Sequence, residues 1–393
     1  MKDATVVNQG YYSTRSCDID LFKSLTSQSL DPARVPYAAA IEKNVPIYDM
    51  AALSSHLEDP SKRPELLSEW ADVLANSAGV IVLKSAYQDT SMIDRATAVF
   101  GEIIKDEKAS NAGKGDHFAA SGANDRIWNS LQKQCLRDPE NFAQYFGNTA
   151  IAAAAEAWLG PNYQMTAQVN QVRPGGKAQK AHRDYHLGFQ SVDGAARYPI
   201  HAHTVTATLT LQGAIAHCDM PIESGPTKLL PFSQLYGPGY IAFHLEDHRD
   251  HFEASYIQLA LSKGDAVFFN PALFHAAGEN KSADIDRMVN LLQVSSAFGR
   301  AMEAIDRLAM SSHVFSALKA ALDAGKLTRA QCDAAIAACA EGYPFPTNLD
   351  TDPPIGGNAP KSQADILRQA LDERWDQDAL DQALRALSHR QIP

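Results

Sequence analysis

Cysteine is scarce in this sequence, which has only five among its 393 residues. Their number is odd and no two of them form a Cys-x-x-Cys pair, so neither a disulfide framework nor a zinc knuckle is expected. We interpret all five as reduced and mostly buried. They are Cys17, Cys135, Cys218, Cys332 and Cys339.

Long hydrophobic runs are also missing. The sequence has no run of the roughly 18 apolar residues that a membrane-spanning helix requires. The N-terminus, from Met1 to Thr5, lacks the apolar segment of a signal peptide. We therefore expect a cytoplasmic protein with no membrane partner. An apolar content of 45% is sufficient for a sizeable core.

Positive charge is in deficit, because the formal net charge is −11. A nucleic-acid binder needs a basic surface that replaces counterions, so nucleic acid is not an expected partner.

Two sequence motifs of common enzyme classes are absent as well. No Gly-x-Gly-x-x-Gly follows the predicted strands at 45–50 and 79–83, which argues against a nucleotide site. No Gly-x-Ser-x-Gly occurs, which argues against a serine hydrolase.

The sequence does contain a His-x-Asp motif at His182 and Asp184, in a segment that has the pattern of a strand. Side chains two positions apart on a strand project from the same face, so both groups are placed to chelate a metal. His275 is the best candidate for a third ligand. Two imidazoles and one carboxylate leave three positions open on an octahedral metal, as in ferrous oxygenases. Since His-x-Asp also occurs by chance, the motif alone is weak evidence.

Arg287 strengthens the hypothesis of a metal site. It lies in the apolar run 285–292, which predicts a buried strand. A buried arginine needs an anion, and its planar guanidinium matches a carboxylate in two parallel hydrogen bonds. A small dicarboxylate co-substrate fits this requirement.

Three successive segments resemble the motifs of a known family: 224–233, 263–269, and the stretch from His275 through Asn280 to Arg287. Together they are similar to the phytanoyl-CoA dioxygenase (PhyH-like) family of iron(II)/2-oxoglutarate-dependent oxygenases, over about 165 to 299. The sequence departs from the family at Phe232-Ser233-Gln234, where Gly-Ser-His is usual. It also has one extra residue between the distal histidine and the arginine.

The resemblance implies an enzyme that uses Fe(II), 2-oxoglutarate and O2. It implies that His182, Asp184 and His275 bind the metal and that Arg287 binds 2-oxoglutarate, with Gln171 as a weaker candidate for the same ligand. The expected reaction is hydroxylation, or the related desaturation or cyclisation, of a small organic substrate, with release of succinate and CO2.

The predicted fold class is mainly β with helical flanks (α+β), built on a double-stranded β-helix, that is, a jelly-roll or cupin-like core. We expect an N-terminal helix and strand region at 1–163, the catalytic core at 164–300 and a C-terminal helical extension at 301–393. The last of these is also a candidate for a homodimer contact. The core strands are predicted at 165–173, 182–185, 203–215, 227–230, 256–261, 266–270 and 285–295. Helices are predicted at 64–74, 92–104, 139–159, 301–324, 328–341 and 362–387.

Three cations precede or interrupt the metal motif: Lys177, Lys180 and Arg183. If they face the metal, the substrate is anionic; the alternative is a solvated basic loop. Tyr185 is a further candidate for a substrate contact. So is Trp128, which ends a polar, glycine-rich stretch at about 107–130.

Several alternatives stay open. His201 and His203 share the spacing of two but have no carboxylate partner, and the charged run with His244, His248 and His251 lacks His-Glu-x-x-His. We expect that run to be a solvated loop or helix. A metal-dependent hydrolase or isomerase on the same barrel has no need of the buried arginine. A non-catalytic jelly-roll binding protein would take up no metal.

Overall fold

The computed structural model describes residues 10–110 and 124–392. Part of the glycine-rich stretch before Trp128 therefore lies outside the described residues. The strands are β1 (Ala40–Glu42), β2 (Val45–Asp49), β3 (Val80–Lys84), β4 (Asn124–Ile127), β5 (Gln164–Val172), β6 (Thr210–Ala216), β7 (Lys228–Leu229), β8 (Ala266–Phe269), β9 (His275–Ala276) and β10 (Arg287–Ser295).

Two sheets form the centre of the fold. Within the described residues, the larger has eight strands in the order β1-β2-β3-β8-β6-β10-β5-β4, and the smaller pairs β7 with β9. All neighbours are antiparallel except β2 and β3. Isolated bridges extend the smaller sheet, from His182 to His275 and from Leu229 to Ile257. The arrangement confirms the predicted fold class, a jelly-roll core with helical flanks, although the helices hold more residues than the strands.

The helices are α1 (Ile19–Thr26), α2 (Met50–Glu58), α3 (Arg63–Asn76), α4 (Ser91–Ala109), α5 (Ser130–Arg137), α6 (Pro139–Phe146), α7 (Thr149–Leu159), α8 (Val192–Ala195), α9 (Ile200–Thr208), α10 (Gly239–Ala242), α11 (Glu246–Ser255), α12 (Arg307–Asp323), α13 (Arg329–Cys339), α14 (Gln363–Asp372) and α15 (Gln377–Arg390). None of these helices is both long enough and apolar enough to cross a bilayer, a finding limited to the residues described.

The two faces of the large sheet bury different side chains, because successive residues of a strand point to opposite sides. On β10, Met288 and Leu292 belong to the core that the helices cover. Val289 belongs to a second core, which faces the small sheet, and Leu291 packs against it. The small sheet therefore encloses the inner face of the large one, and a cavity lies between them.

One apolar core joins all three predicted regions of the chain. It includes Trp70 from α3, Phe268 from β8 and Phe315 from α12. The proposed boundaries at 163 and 300 stay predictions, as does a homodimer contact through the C-terminal helices.

Three predicted strands were wrong in part. The segment 182–185 pairs only at His182, since the backbone turns at Tyr185 and His186, whose φ angles are +66° and +43°. The first half of 203–215 is the helix α9, and the strand begins at Thr210. The segment 256–261 contributes isolated bridges, including those of Ile257 and Leu261, instead of a continuous strand.

The helices also differ in extent from the prediction. The predicted helix 139–159 is two helices, because the first ends at Phe146 with Gly147 as its C-cap, and Asn148 caps the next by accepting hydrogen bonds from the N–H groups of Ala150 and Ile151. The region 362–387 is likewise split into α14 and α15, and α12 begins only at Arg307. The charged run at 246–255 is the helix α11, but His248 on it is buried against Phe22 and is not solvated.

Candidate metal centre and its cavity

His182 and His275 face each other across an antiparallel bridge. The N–H of His182 donates to the carbonyl of His275 at 3.0 Å, and the N–H of His275 donates to that of His182 at 3.2 Å. This exchange makes them a directly opposed pair, whose side chains leave the backbone on the same face. Their ring centroids lie 4.5 Å apart. The smaller sheet thus brings together two imidazoles that are far apart in the sequence.

Asp184 completes the group from the turn that follows. Its N–H donates to the carbonyl of Pro271 at 3.1 Å, which fixes the turn beside the strand that carries His275. Its carboxylate oxygens lie 3.7 Å from Nε2 of His182 and 3.4 Å from Nε2 of His275. One potential ligand atom from each of the three residues falls within 4.8 Å of the others.

Hydrogen bonds to the backbone orient both imidazoles. Nδ1 of His182 lies 2.9 Å from the carbonyl of Lys180, and Nδ1 of His275 lies 2.8 Å from that of Leu273. A carbonyl can only accept, so each Nδ1 carries a proton, which leaves Nε2 as the nitrogen of each ring that can bind a metal. This is the tautomer that a metal-binding histidine requires.

The surroundings of Asp184 and His182 determine the protonation states of these two candidate ligands. Burial alone raises the pKa of Asp184, but the nearby imidazoles and a hydrogen bond from the Gln212 amide lower it, and the net result lies well below the ordinary value. The Gln212 Nε2 lies 2.5 Å from Asp184 Oδ2. Burial lowers the pKa of His182. The carboxylate is therefore ionised and this imidazole neutral at pH 7, which are the forms that bind a divalent metal.

The donor set fits a non-haem ferrous centre. Two imidazoles and one carboxylate on one side of a metal would form the facial arrangement that leaves positions open for a co-substrate and dioxygen. The Gln212 side chain and the backbone carbonyls of Lys180 and Leu273 make hydrogen bonds to the three candidate ligands. Hydrogen bonds of this kind orient the ligands of metal sites.

A cavity of about 570 Å³ opens beside the three residues. Arg287 lines it and is buried, with 4% of its surface exposed. Its NH1 donates to the carbonyl of Ser224 at 3.0 Å. In the described part of the chain no carboxylate lies within ion-pair distance of the guanidinium. Burial lowers the pKa of Arg287 to about 10, so it is still a cation at pH 7.

Gln171 does not lie where the sequence led us to expect. Arg287 on β10 pairs in register with Val172 on β5, so the residues of β5 that share its face are Val172 and Asn170. Asn170 and Gln168 line the cavity, whereas Gln171 points away and its amide lies 3.5 Å from Asp286. Alternation along the strand was readable from the sequence, but which of the two faces held the site was not.

Arg183 is among the residues that line the cavity, and its predicted contact with substrate stays a prediction. Its guanidinium is buried behind the metal motif and donates to the carbonyls of Ser233 at 2.6 Å and Tyr236 at 2.9 Å. It also lies over the rings of Tyr240 and Phe274, at 5.1 and 5.3 Å. These contacts hold the guanidinium against backbone carbonyls and aromatic rings.

The remaining candidates for substrate contacts lie in different places. Lys180 and Trp128 line the cavity. Lys177 is exposed and pairs with Glu279 at 2.8 Å. Tyr185 is buried, and its hydroxyl donates to the side-chain oxygen of Gln293. Their roles in substrate binding stay predictions.

Sequence reasoning missed the carboxamides on the inner face of the large sheet. Gln212 and Gln293 are direct register partners on β6 and β10, and both line the cavity near Asp184. Gln168 and Asn170 continue the set on β5. The sequence pattern that could have revealed them is a series of uncharged polar residues at alternate positions of a buried strand. A buried amide needs a hydrogen-bond partner or a ligand.

The fold is a double-stranded β-helix, and the three side chains form a donor set that could hold a metal ion. A family model described as Phytanoyl-CoA dioxygenase (PhyH) matches residues 68–289, more than half of the chain. The chain belongs to the PhyH family, which confirms the resemblance noted in the sequence. Enzymes of this family are non-haem iron(II)/2-oxoglutarate-dependent oxygenases, and the donor set of His182, Asp184 and His275 fits that metal.

A curated relative is Dioxygenase trt7 of Aspergillus terreus (strain NIH 2624 / FGSC A1156), which is 24% identical over 139 residues. That alignment covers 35% of this chain and 43% of the relative, so the chain spans less than half of that protein's length.

Two solved structures are similar at 17% identity. One is the non-heme alpha ketoglutarate dependent epimerase SnoN from nogalamycin biosynthesis, with a TM-score of 0.40 over 60% of this chain and 82% of that one. The other is the carbocyclase SnoK from the same biosynthesis, with a TM-score of 0.42 over 58% of this chain and 83% of that one. Scores this low carry no argument about the reaction or the substrate.

Proposed function

We propose that His182, Asp184 and His275 hold Fe(II), that Arg287 holds 2-oxoglutarate, and that the chain hydroxylates, or desaturates or cyclises, a small organic substrate with release of succinate and CO2. The observation that carries the proposal is a buried arginine without a carboxylate partner among the described residues, in the same cavity as a facial set of metal ligands.

The energetics of Arg287 support a dicarboxylate ligand. A buried cation is costly unless it is paired, and one hydrogen bond to the Ser224 carbonyl leaves most of its donors without a partner. A carboxylate can accept two parallel hydrogen bonds from the guanidinium. A metal-dependent hydrolase or isomerase has no use for this cation, which favours the oxygenase.

The wall between the arginine and the metal ligands suits the aliphatic part of such a co-substrate. Its side chains are apolar and come from both sheets and from the segments beside them: Ala214, Met220, Leu229, Leu259, Leu261, Val267, Phe269 and Val289. Asn170, level with Val289 on the neighbouring strand, is placed to donate a hydrogen bond to the same ligand. We assign to Asn170 the role that the sequence had suggested for Gln171.

Iron and 2-oxoglutarate, when bound, supply the activation of dioxygen and two of the electrons for its reduction. The residues of the chain orient these groups and exclude water. The backbone carbonyls of Lys180 and Leu273 hold the protons of the two imidazoles on Nδ1, and the Gln212 amide keeps the Asp184 carboxylate ionised and directed toward the centre.

The test is succinate formation from 2-oxoglutarate by the purified protein with Fe(II) and air. We expect slow turnover that depends on Fe(II) and is lost in Asp184→Asn. Asp286→Asn is the matched control, since Asp286 is an acid next to Arg287 that does not line the cavity. Metal-dependent conversion of a substrate without 2-oxoglutarate would instead support a hydrolase or isomerase, and failure to bind metal would support a binding protein.

A further inference from the structure

We infer that the substrate is an uncharged molecule with a largely apolar body, bound through a hydroxyl group that meets Gln212 and Gln293. This inference rests on the proposed function, because it concerns the part of the same cavity that 2-oxoglutarate leaves free. It differs from the anionic substrate that three cations in the sequence suggested.

The orientation of the Gln212 side chain is fixed by its neighbour. A carboxylate only accepts, so the group that lies 2.5 Å from Asp184 Oδ2 is the Gln212 NH2. The Oε1 atom is left as a buried acceptor that has no hydrogen-bond partner in the described part of the chain, although the residue is only 5% exposed. A buried acceptor of this kind calls for a donor from a ligand.

Gln293 presents the complementary group. Its Oε1 accepts the hydrogen bond from the Tyr185 hydroxyl, which directs its NH2 elsewhere, and no described residue accepts from that NH2. Because Gln212 and Gln293 are direct register partners, their side chains stand beside each other on the inner face. An acceptor and a donor side by side match a hydroxyl, which can donate to one and accept from the other.

Among the described residues, no cation forms a hydrogen bond with the Gln212 or Gln293 side chain, whose partners are Asp184 and Tyr185. The Lys180 side chain is exposed at the mouth, Lys177 pairs with Glu279, and Arg183 is buried behind the motif. Arg126 lies at the mouth, where it donates to Gln168 at 3.1 Å and covers the Trp128 ring. An anionic group beside the Gln212 oxygen would be repelled by it, because that oxygen is itself a hydrogen-bond acceptor without a donor among the residues that the structure describes.

Apolar side chains form the walls of the mouth. Phe189 and Met302 line the cavity, yet 59% and 37% of their surfaces are exposed. The Trp128 ring stands with them in the lining. Exposed apolar groups around a cavity are characteristic of a binding site for an apolar ligand. The body of the substrate is thus apolar, and the carboxamides bind its polar group.

Three probes with one ring system separate the possibilities: 2-naphthol, 2-methylnaphthalene, which replaces the hydroxyl with methyl, and 2-naphthyl sulfate, which is an anion. Binding to the protein loaded with Fe(II) and 2-oxoglutarate is measured by calorimetry without oxygen. We expect 2-naphthol to bind roughly fivefold to thirtyfold more tightly than 2-methylnaphthalene, the range of one or two neutral hydrogen bonds, and to bind more tightly than the sulfate by a larger factor.

A double variant removes the Gln293 NH2 donor and, at the same time, the Tyr185 hydroxyl that would otherwise be left buried without a hydrogen-bond partner. In Tyr185→Phe/Gln293→Met both partners of one hydrogen bond become apolar, a change that is close to neutral for folding, which thermal unfolding checks. We expect this variant to lose the preference for 2-naphthol over 2-methylnaphthalene. The control Gln171→Leu removes a carboxamide on the opposite face of β5 and should keep the preference.

Tighter binding of the sulfate, equal binding of all three probes, or no binding at millimolar concentration would each overturn the inference. The absorption of the iron chelate of 2-oxoglutarate, recorded on the same samples, reports the proposed function separately. A normal chelate with preference for the sulfate refutes only the inference. Preference for 2-naphthol without a chelate refutes only the proposed function.

Discussion

His182 and His275 exchange two backbone hydrogen bonds, so the distance between their imidazoles is set by a strand pairing and not by side-chain flexibility. Each ring is then held by a second hydrogen bond from Nδ1 to a carbonyl two residues earlier in the chain. Both nitrogens that face Asp184 are therefore positioned before a metal binds, which lowers the conformational cost of binding.

Replacing one of these ligands should remove metal binding more completely than it affects folding. Substitutions of outer hydrogen-bond partners lower metal affinity by roughly 10- to 100-fold, so the loss of a direct ligand should exceed that. We expect His182→Gln to weaken Fe(II) binding at least about 100-fold. Equilibrium dialysis of Fe(II) without oxygen measures it, with His313→Gln, an exposed histidine of α12, as the control. Equal affinity of the two variants would remove His182 from the site.

Arg287→Lys should weaken 2-oxoglutarate binding while the protein stays folded. Lysine keeps the charge but cannot make two parallel hydrogen bonds, and the loss of a charged hydrogen bond costs about 1.5–3 kcal/mol, or roughly 10- to 150-fold in Kd. Titration of the iron-loaded protein with 2-oxoglutarate measures the change. Arg307→Lys is the matched control, because Arg307 is also buried but contacts the carbonyl of Met165, outside the cavity. Unchanged affinity in Arg287→Lys would place the co-substrate elsewhere.

These residues also show how far the sequence was informative. His182 and Asp184 were identified by their spacing, although the strand predicted for them ends in a turn at Tyr185. The face of β5 that holds the site was not predictable, because it depends on the register between Arg287 and Val172. The burial of Arg183 was not predictable either, since its carbonyl partners belong to a segment about fifty positions further on.

Gly239→Ala tests the role of Arg183 in supporting the metal motif. A Cβ at position 239 would stand 1.9 Å from the Arg183 Cζ, so the guanidinium would have to move from its cage of carbonyls and rings. We expect a loss of about 2–4 kcal/mol in the free energy of unfolding, typical of disrupting a buried polar network. Urea denaturation measures it, with Gly101→Ala as control, because a Cβ there meets nothing within 4 Å. Equal stability of both variants would contradict the packing described for Arg183.

Stability should fall in acid through His217. This histidine is buried between the Thr97 and Tyr145 hydroxyls, each 2.8 Å from a ring nitrogen, and burial lowers its pKa to about 3. Since its pKa is 6.5 when unfolded, the unfolded chain binds more protons between pH 6.5 and 3. The stabilisation by neutral His217 is therefore complete above pH 6.5 and declines as the pH falls toward 3.

The variant His217→Gln should show a shallower dependence of the free energy of unfolding on pH across that window. His389→Gln, which changes an exposed histidine of α15, should retain the slope of the original protein. Urea denaturation at several pH values between 7 and 4 compares the three proteins. Identical slopes for all of them would mean that His217 is protonated in the folded state.

We propose that one cavity holds both the metal, beside Asp184, and the co-substrate, at Arg287. The most direct measurement is anaerobic addition of 2-oxoglutarate to the Fe(II)-loaded protein, followed through the weak visible charge-transfer band of the chelate. We expect a band that saturates with one equivalent of each ligand and that requires a higher 2-oxoglutarate concentration in Arg287→Lys. A protein that binds Fe(II) but develops no band at millimolar 2-oxoglutarate would contradict it.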